Sequence, residues 1–550
     1  MARLLLIQPP LLLHGEFIDY PYFTGAGLWQ SAANLRAAGH DVEVLDAFCL
    51  PASNLIDERG GMIRLGVPWS GFVSRLPADA PDVVIIANSP WQRARAASAE
   101  LKRFATQLAE RWPEVPTVLA DCDIGGMHYI EWDEDDLAET GLDYGQKYEA
   151  EVALGELVER LCRGETPAER IVRGAPQNDV LDDLPLPAYD LIDMACFQRF
   201  MGRVTRAQHK HEIFSCAPPV IAVKTSRGCV YRCNFCTSNP WSRAGMEGRG
   251  YRMYGKAYLQ SHLEHLKNEY GIDRVVVLDE LVNVNPRHFD GLLEALETLE
   301  MRVDFPNGMR ADRLTESQVS SMAQRCNLLS ISAESATDRI ANEVIGKRFD
   351  LEATERVATW CADAGLHLVV HWMIGQPSET RVEILHTLET AWSVFDRTGA
   401  RPLLQFATPI KGTELHQTVT EQSLWKERED RDIGPLFQGQ PVYEDCDWTA
   451  RDLWVAKRVF ETRVEAYKPK KIIMNTTYIC NNQCVFCATG NRLPTHGELE
   501  EQISFMKLRR EQGYYLIDFD GGEPTTNPKL FHLLKTARDL GYERINLTTN

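Results

Sequence analysis

The stretch that decides the fold is "SRGCVYRCNFCTSNPW", residues 226–241, which follows the apolar run "VIAVK" (220–224). It carries Cys229, Cys233 and Cys236 on one short segment. The pattern returns in "TTYICNNQCVFCATG" (476–490), which begins at the end of the apolar run "KIIMNT" (471–476). Structural zinc sites usually take four ligands, and no fourth ligand recurs at a matched spacing. Three thiolates can instead hold three irons of a [4Fe–4S] cluster and leave the fourth iron open.

Six strand–helix units begin at residue 220. Short apolar runs alternate with helical stretches of the length expected for such units. The predicted strands are "VIAVK" (220–224), "RVVVLD" (274–279), "RVDFP" (302–306), "LLSIS" (328–332), "HLVVHWM" (367–373) and "PLLQFA" (402–407). The pattern predicts a (β/α)6 partial TIM barrel over residues 216–425. Its first cysteine loop would lie at the carboxyl end of a strand, where barrel enzymes carry their chemistry.

The same order restarts near the end of the sequence. Residues 470–550 contain a strand, a cysteine loop with Cys480, Cys484 and Cys487, a helix, the strand "YYLID", a helix and the strand "RINLT". Three strands cannot complete a six-stranded barrel, and the last would leave an open edge. We therefore expect an incomplete, truncated second partial barrel over 470–550, joined to the first by a helical linker over 426–469.

The N-terminal region reads as a second kind of α/β fold. Continuous apolar runs, typical of buried parallel strands, occur at 4–8, 41–46, 83–87 and 117–120, with helical patterns between them. This predicts a doubly wound, Rossmann-like domain over 1–165, whose ligand site lies beyond the carboxyl ends of its strands. Residues 166–215, rich in proline and polar residues, read as a connector.

Composition narrows the function classes. The 550 residues carry a net charge of −19, which disfavours a general nucleic-acid binder. "MARLLLIQPP" lacks a signal-peptide cleavage site, and no apolar stretch is long enough to span a bilayer. The 14 cysteines do not form a disulfide scaffold, and six of them lie in the two loops. We expect a cytoplasmic protein without nucleic-acid or membrane partners.

The two loops resemble the radical S-adenosylmethionine (SAM) superfamily. Each has the pattern C-x-x-x-C-x-x-C with an aromatic residue, Phe235 or Phe486, before the last cysteine. The resemblance implies two [4Fe–4S] clusters, each with SAM at its open iron. It also implies cleavage of SAM to a radical that abstracts hydrogen from the substrate. An electron donor such as flavodoxin or ferredoxin would supply the electron. Structural zinc is the alternative for such cysteines.

Further motifs of the family point to SAM contacts. "DGGEPTTNP" (520–528) matches the motif that contacts the SAM amino group, and "LDELVN" (278–283) stands at the equivalent place in the first barrel. Glu334 ends the fourth strand, a usual position for a SAM-ribose contact. "MIGQPSET" (373–380) resembles the fifth-strand motif near adenine. The cofactor-binding residues implied are Asp279, Glu280, Glu334, Gly521, Gly522, Glu523 and Pro524.

The N-terminal region resembles the cobalamin-binding domain that precedes many radical SAM barrels. The resemblance rests on "GAGLWQSAANLRAAGHDVEVLDA" (25–47), "DIGGMHYI" (123–130) and "GLDYGQKYEAEVALGELVERL" (141–161). It implies contacts from Gly125 and Gly126. The family's Gly-Glu-x-Glu helix start here reads Tyr-Glu-Ala-Glu over 148–151. The sequence lacks Asp-x-His-x-x-Gly, so base-off cobalamin without a histidine ligand is expected, with its lower face at "NSPWQ" (88–92), including Asn88 and Ser89.

These features predict a cobalamin-dependent radical SAM enzyme. The leading hypothesis is a methyltransferase acting on an unactivated carbon of a secondary metabolite or peptide, with a second radical SAM module. One alternative keeps cobalamin but performs a radical rearrangement without methyl transfer. A transfer-RNA methylthiotransferase is disfavoured, because the first domain lacks that family's three cluster cysteines. A non-catalytic cobalamin sensor or carrier is the remaining alternative, and two complete cysteine motifs argue against it. The sequence identifies no catalytic residue.

Overall fold

The structure is a computed structural model that describes most of the chain in two compact units, residues 1–456 and 457–550. The described residues are 1–14, 25–88, 95–122, 129–176, 181–207, 219–426, 438–467, 471–485, 487, 494–542 and 544–549. Four residues implicated by the sequence, Ser89, Gly125, Gly126 and Phe486, lie outside them.

The first region of the larger unit is built on a parallel sheet with flanking helices. Its strands and helices are β1 (Arg3–Gln8), β2 (Leu11–His14), α1 (Ala26–Ala37), β3 (Asp41–Asp46), β4 (Asn54–Asp57), β5 (Met62–Gly66), α2 (Trp69–Val73), β6 (Val83–Ala87), α3 (Arg95–Arg111), β7 (Thr117–Ala120), α4 (Glu134–Thr140), β8 (Tyr144–Tyr148), α5 (Ala150–Cys162) and β9 (Ile171–Gly174). The four predicted strands correspond to β1, β3, β6 and β7.

The order of this sheet is β3-β1-β6-β7-β8-β9, and all its strand pairs are parallel. The chain leaves β1 toward β3 on one side and returns to β6 on the other, so the strand order reverses between β1 and β6. Ligands of doubly wound sheets bind at such a reversal, beyond the carboxyl ends of the strands. A separate small antiparallel sheet has the order β2-β5-β4. The large sheet extends through β9 into the range predicted as connector.

The second region of the larger unit contains the predicted six-stranded sheet. Its elements are α6 (Met194–Ala207), β10 (Val220–Val223), β11 (Ser226–Gly228), α7 (Pro240–Arg243), β12 (Tyr251–Met253), α8 (Lys256–Tyr270), β13 (Arg274–Val277), α9 (Pro286–Thr298), β14 (Arg302–Met309), α10 (Glu316–Ala323), β15 (Leu328–Glu334), α11 (Glu352–Asp363), β16 (His367–Ile374), α12 (Arg381–Thr398), β17 (Arg401–Phe406) and α13 (Glu414–Glu421). The next helix, α14 (Ala450–Ala466), begins in the larger unit and ends in the smaller one.

Six of these strands lie side by side in chain order, β10-β13-β14-β15-β16-β17, and every pair is parallel. Parallel strands whose faces are both covered by helices are apolar along their length. Val220, Ile221 and Ala222 of β10 are accordingly fully buried. The order is the one that a (β/α)6 partial barrel requires, and it brings all six carboxyl ends to one edge.

The smaller unit repeats the beginning of this arrangement. It contains β18 (Lys471–Thr477), α15 (Leu499–Glu511), β19 (Leu516–Gly521), α16 (Leu530–Asp539) and β20 (Arg544–Leu547). The three strands form a parallel sheet in chain order. Its core is formed by residues such as Met506, Phe519 and Leu533. Within the described part of the chain, none of the helices combines the length and apolar character needed to cross a bilayer.

Candidate active site

The first cysteine loop starts from a tight turn at the carboxyl edge of the six-stranded sheet. After β10 the chain forms β11, which pairs antiparallel with β12 and ends at Gly228, immediately before Cys229. Gly228 has φ +79°, and a Cβ there would lie 2.0 Å from the carbonyl oxygen of Gly250. The side-chain amide of Asn239 also holds the loop, because it accepts from the N–H of Cys229 and donates to the carbonyl of Cys229. The start of the loop is thus fixed by backbone geometry.

The three thiols of this loop are close enough to influence one another. All three cysteines are half-buried. Burial, together with the neighbouring Cys236, raises the pKa of Cys229 to about 12. Burial likewise raises the pKa of Cys233 to about 12, against the opposing effect of Lys347. Among the described residues, no three metal-ligating side chains converge as they would around a single ion.

Positive charge lies beside Cys233. Lys347 is buried and donates to Glu334 Oε1 at 2.9 Å. The guanidinium of Arg310 lies 3.9 Å from the ring centroid of Tyr231, within the cysteine loop. Three thiols on one loop form a donor set suited to an iron–sulfur cluster, and each nearby cation is paired with a carboxylate, Lys347 with Glu334 and Arg310 with Asp312. The loop's own residues therefore fit the cofactor that the sequence predicts.

The predicted SAM residues of the first barrel lie around this loop. Glu280 accepts from the N–H of Gly228 at 2.9 Å. Asp279 accepts from the hydroxyls of Thr225 and Ser226, each at 2.6 Å. Burial raises the pKa of both carboxyl groups. Both residues therefore fasten the end of β13 to the start of the cysteine loop.

Glu334 lies at the end of β15 with φ +65°, an unusual backbone conformation for a glutamate. Its carboxylate pairs with Lys347, and its charge also raises the pKa of Cys233. The fifth-strand motif reaches the loop through Gln376, whose side-chain oxygen accepts from the Asn234 amide at 3.0 Å. The structure thus gathers the carboxyl ends of β13, β15 and β16 around one loop.

At the edge of the first sheet, Asn88 follows β6 and donates to Asp121 at 2.5 Å. Asp121 also accepts from Tyr129, Trp132 and the backbone N–H of Tyr148. Asp121 follows a buried strand directly, and an acidic residue in that position is a signal that sequence reasoning could have used. It is therefore the polar centre of this edge.

Tyr148 stands where the family's motif has glycine, and it has φ +67°. An L-residue in this conformation costs about 1–2 kcal/mol, which explains the preference for glycine there. Its ring is buried, and its hydroxyl donates to Glu131 at 3.1 Å. Burial raises the pKa of this phenol.

A cavity of about 320 Å³ lies between the first sheet's edge and the cysteine loop. The first region contributes Tyr129 and Tyr148, and the cysteine loop and α7 contribute Thr237 and Pro240. β8 and β10, which leads into the cysteine loop, belong to different sheets, so this cavity is lined by both α/β regions.

The second cysteine loop follows β18 in the smaller unit. Cys484 is exposed, and Cys480 and Cys487 are half-buried. The predicted Gly-Gly-Glu-Pro turn packs directly against this loop. Gly522 donates its N–H to the carbonyl of Thr477 at 2.7 Å, and Glu523 donates to that of Ile479 at 2.9 Å.

Close packing explains both glycines of that turn. A Cβ on Gly521 would lie 2.3 Å from the carbonyl oxygen of Thr477, and one on Gly522 would lie 2.4 Å from that of Ile479. Pro524 begins a short 3-10 turn, and the buried Glu523 carboxylate accepts from Thr525 and Thr549. The second module therefore anchors its motif through backbone atoms, whereas the first uses carboxylates.

Sequence matches agree with this arrangement. Residues 223–391 and 474–550 match the Radical SAM superfamily. An uncharacterized methyltransferase of Pyrococcus horikoshii is 25% identical over 289 residues, which cover 50% of this chain and 58% of the relative. Cytidylyl-2-hydroxyethylphosphonate methyltransferase of Streptomyces wedmorensis is 24% identical over 460 residues, covering 76% of this chain and 82% of the relative. The chain thus spans less than two thirds of the first relative.

Two solved structures share the fold. The cobalamin-dependent SAM radical enzyme OxsB, with aqua-cobalamin and SAM bound, superposes with a TM-score of 0.59 at 13% identity, covering 98% of this chain and 79% of that one. The radical SAM methyltransferase TsrM from Kitasatospora setae gives 0.53 at 16% identity, covering 77% and 76%. Two cysteine loops, each at the carboxyl end of a first strand, lie in the two matched segments. The chain therefore carries two segments that match the Radical SAM superfamily, residues 223–391 and 474–550.

Proposed function

We propose that this chain is a cobalamin-dependent radical SAM methyltransferase acting on an unactivated carbon of a small molecule or peptide. The observation that carries the proposal is the cavity shared by Tyr129 and Tyr148 of the first region and Thr237 and Pro240 of the second. A cofactor at the first sheet's edge and one at the cysteine loop would meet there. Similarity to methyltransferases over half or more of this chain supports methyl transfer over rearrangement.

The chain's residues would act as follows. Cys229, Cys233 and Cys236 would hold one [4Fe–4S] cluster, with Phe235 buried beneath the loop. Asp279, Glu280 and Glu334 would orient SAM or the strand ends that contact it. Asn88, with the neighbouring residues of 88–92 and 125–126, would face base-off cobalamin without a histidine ligand. When bound, the cluster supplies the electron that cleaves SAM and cobalamin supplies the methyl carrier, and the protein orients both and excludes water.

The second module would hold another cluster on Cys480, Cys484 and Cys487. The Gly-Gly-Glu-Pro turn packs against that loop and would bring the SAM amino group toward Glu523, since a carboxylate suits an ammonium. We further propose a cytoplasmic enzyme reduced by a flavodoxin or ferredoxin. We propose the sequence-derived domains 1–165, 166–215, 216–425, 426–469 and 470–550, with the first extended to Gly174 because β9 belongs to its sheet.

Product counting tests the proposal. The anaerobically reconstituted chain should consume SAM to give both S-adenosylhomocysteine and 5′-deoxyadenosine in the presence of substrate. Formation of 5′-deoxyadenosine without S-adenosylhomocysteine would favour the radical rearrangement instead.

Cobalamin binding can be tested without a substrate. The desalted chain should retain cobalamin, seen by its absorbance. Ala244→Trp should weaken this retention, because Ala244 borders the cavity. Ser242→Trp is the matched control, since Ser242 is exposed on α7, two residues before Ala244, and does not line the cavity. Equal retention by both variants would mean that cobalamin does not use this cavity.

A further inference from the structure

Two carboxylates of the first region make buried ion pairs with the hairpin formed by β11 and β12, the strands immediately before and after the cysteine loop. One arm of the Arg252 guanidinium donates to Glu149 Oε2 at 2.8 Å, and the other contacts Glu149 Oε1. The Arg227 guanidinium donates to Glu151 Oε1 and lies 3.8 Å from Glu149. These four side chains, at 3–11% exposure, are almost completely withdrawn from water. Charges so deeply buried require partners, so the pairs fix the surfaces that carry them.

The two arginines lie on the hairpin next to the start of the cysteine loop. Arg227 of β11 and Arg252 of β12 are register partners, directly opposite each other. Arg227 is followed by Gly228, whose backbone is held against Gly250 and Glu280, and then by Cys229. Because the backbone of Gly228 is fixed, a shift of the two guanidinium groups should also shift Cys229.

The Glu149 carboxylate does not cap its own helix. Glu149 is the N-cap residue of α5, yet its side chain makes no capping hydrogen bond. The cavity beside Glu149, Glu151 and Arg227 measures about 40 Å³, enough for a few water molecules but not for a cofactor. Their contacts are therefore directed across to the hairpin. This explains why two glutamates follow Tyr148 in a motif that the sequence connects with cobalamin binding.

We propose that Glu149 and Glu151 are positioning residues for the first iron–sulfur site, acting through Arg252 and Arg227. The first α/β region thereby holds the cysteine loop of the second. The inference rests on the proposed cluster at Cys229, Cys233 and Cys236, but not on cobalamin or on methyl transfer.

A charge-exchange experiment tests this proposal in the full chain. The parent carries Cys480, Cys484 and Cys487 changed to Ala, so that bound iron reports only the first site. In this parent, Arg227→Glu and Glu151→Arg should each lower the iron content several-fold. In the cluster that remains, each should abolish the change that SAM causes in the electron paramagnetic resonance spectrum. The double variant with both Arg227→Glu and Glu151→Arg restores opposite charges. It should recover both the iron content and the spectral change caused by SAM.

The matched control is Arg274→Glu. Arg274 pairs with Asp304 at 2.7 Å, equally buried, but at the amino end of β13, away from the cysteine loop. It should lower thermal stability without changing the SAM-dependent spectrum. If the reversal variants do not fold, Glu151→Gln keeps the shape of the side chain and should still alter the spectrum.

Failure of the positioning proposal and failure of the cluster assignment give different results. A double exchange no better than either single variant would overturn the proposal, as would an unchanged spectrum in Glu151→Gln. An Arg274→Glu control that alters the spectrum as much as Arg227→Glu would also overturn it. A parent that binds no iron at all would instead contradict the cluster assignment itself.

Discussion

Gly228 lies so close to Gly250 that a Cβ on residue 228 would approach the Gly250 carbonyl oxygen to 2.0 Å. Because this contact immediately precedes Cys229, we expect Gly228→Ala to displace the loop and lower the iron content of the first site. Gly245 is the matched control: it also has a positive φ, +75°, but an added Cβ would meet nothing within 4 Å. Gly245→Ala should cost only about 1–2 kcal/mol of backbone strain and keep its iron. Equal iron loss in both variants would contradict the argument from space.

The cysteine loops should bind iron independently. Each [4Fe–4S] cluster contains four irons, so the reconstituted chain should hold about eight. Changing Cys229, Cys233 and Cys236 together to Ala should halve that amount and abolish SAM cleavage by the first module. Cys361→Ala, at a buried cysteine on α11, is the control and should leave the iron content unchanged. Full iron in the triple variant would refute the assignment.

The second module's turn should depend on Gly522. We expect Gly522→Ala to lower the iron bound at the second loop, because the added Cβ would lie 2.4 Å from the Ile479 carbonyl oxygen. Gly541→Ala in the same unit adds a Cβ with its nearest neighbour at 3.9 Å and should retain that iron. Iron analysis in a background lacking the first three cysteines distinguishes these outcomes. Iron retained by Gly522→Ala would show that the loop does not require this packing.

Glu379 should make stability depend on pH. It is fully buried, and burial raises its pKa from 4.5 to about 7, although the N–H groups of Gly375 and Gln376 oppose the shift. A carboxyl whose pKa is raised in the folded state contributes full stability below pH 4.5 and loses it as pH rises through 7. The free energy of unfolding should therefore fall by about 3 kcal/mol across that interval.

Glu379→Gln should remove this pH dependence, as measured by denaturant unfolding between pH 4.5 and 8. Glu383→Gln provides the contrast. Arg339 holds the pKa of Glu383 at about 2, so this carboxylate stabilises the fold above its unfolded pKa and loses that contribution only as pH falls from 4.5 toward 2. Because the Glu383 charge also raises the pKa of Glu379, Glu383→Gln should lower the pKa of Glu379 without removing the pH dependence between pH 5 and 8. A Glu379→Gln curve parallel to the wild-type curve would show that Glu379 is ionised in the folded protein.

Strands with continuous apolar sequence could be predicted from the sequence, and β3, β6 and β7 begin and end at the predicted residues. β8 could not be predicted, because its sequence "YGQKY" contains Gln146 and Lys147. Both are buried. Gln146 bonds to nearby backbone carbonyls, and Lys147 reaches Glu131 and the Trp132 carbonyl. Only tertiary contacts make such residues compatible with a central strand.

In the candidate site, too, local motifs could be predicted from the sequence, whereas contacts between distant residues could not. Local spacing was sufficient to identify the cysteine loops and the Gly-Gly-Glu-Pro turn. The pairs of Glu149 with Arg252 and Glu151 with Arg227 join residues far apart in sequence, and they form only after two sheets have packed together. Asp279 and Glu280 were predicted as SAM residues, whereas their hydrogen bonds to Thr225, Ser226 and Gly228 depend on the register of neighbouring strands.

The unequal burial of the two cysteine loops has a practical consequence for handling the protein in air. Cys484 is exposed and is followed by Val485, which is fully exposed, whereas Cys229, Cys233 and Cys236 are all half-buried. Oxidants reach exposed thiolates first. Brief aeration should therefore remove iron from the second site before the first. A preparation with half its iron would be enriched in chains that keep only the first cluster.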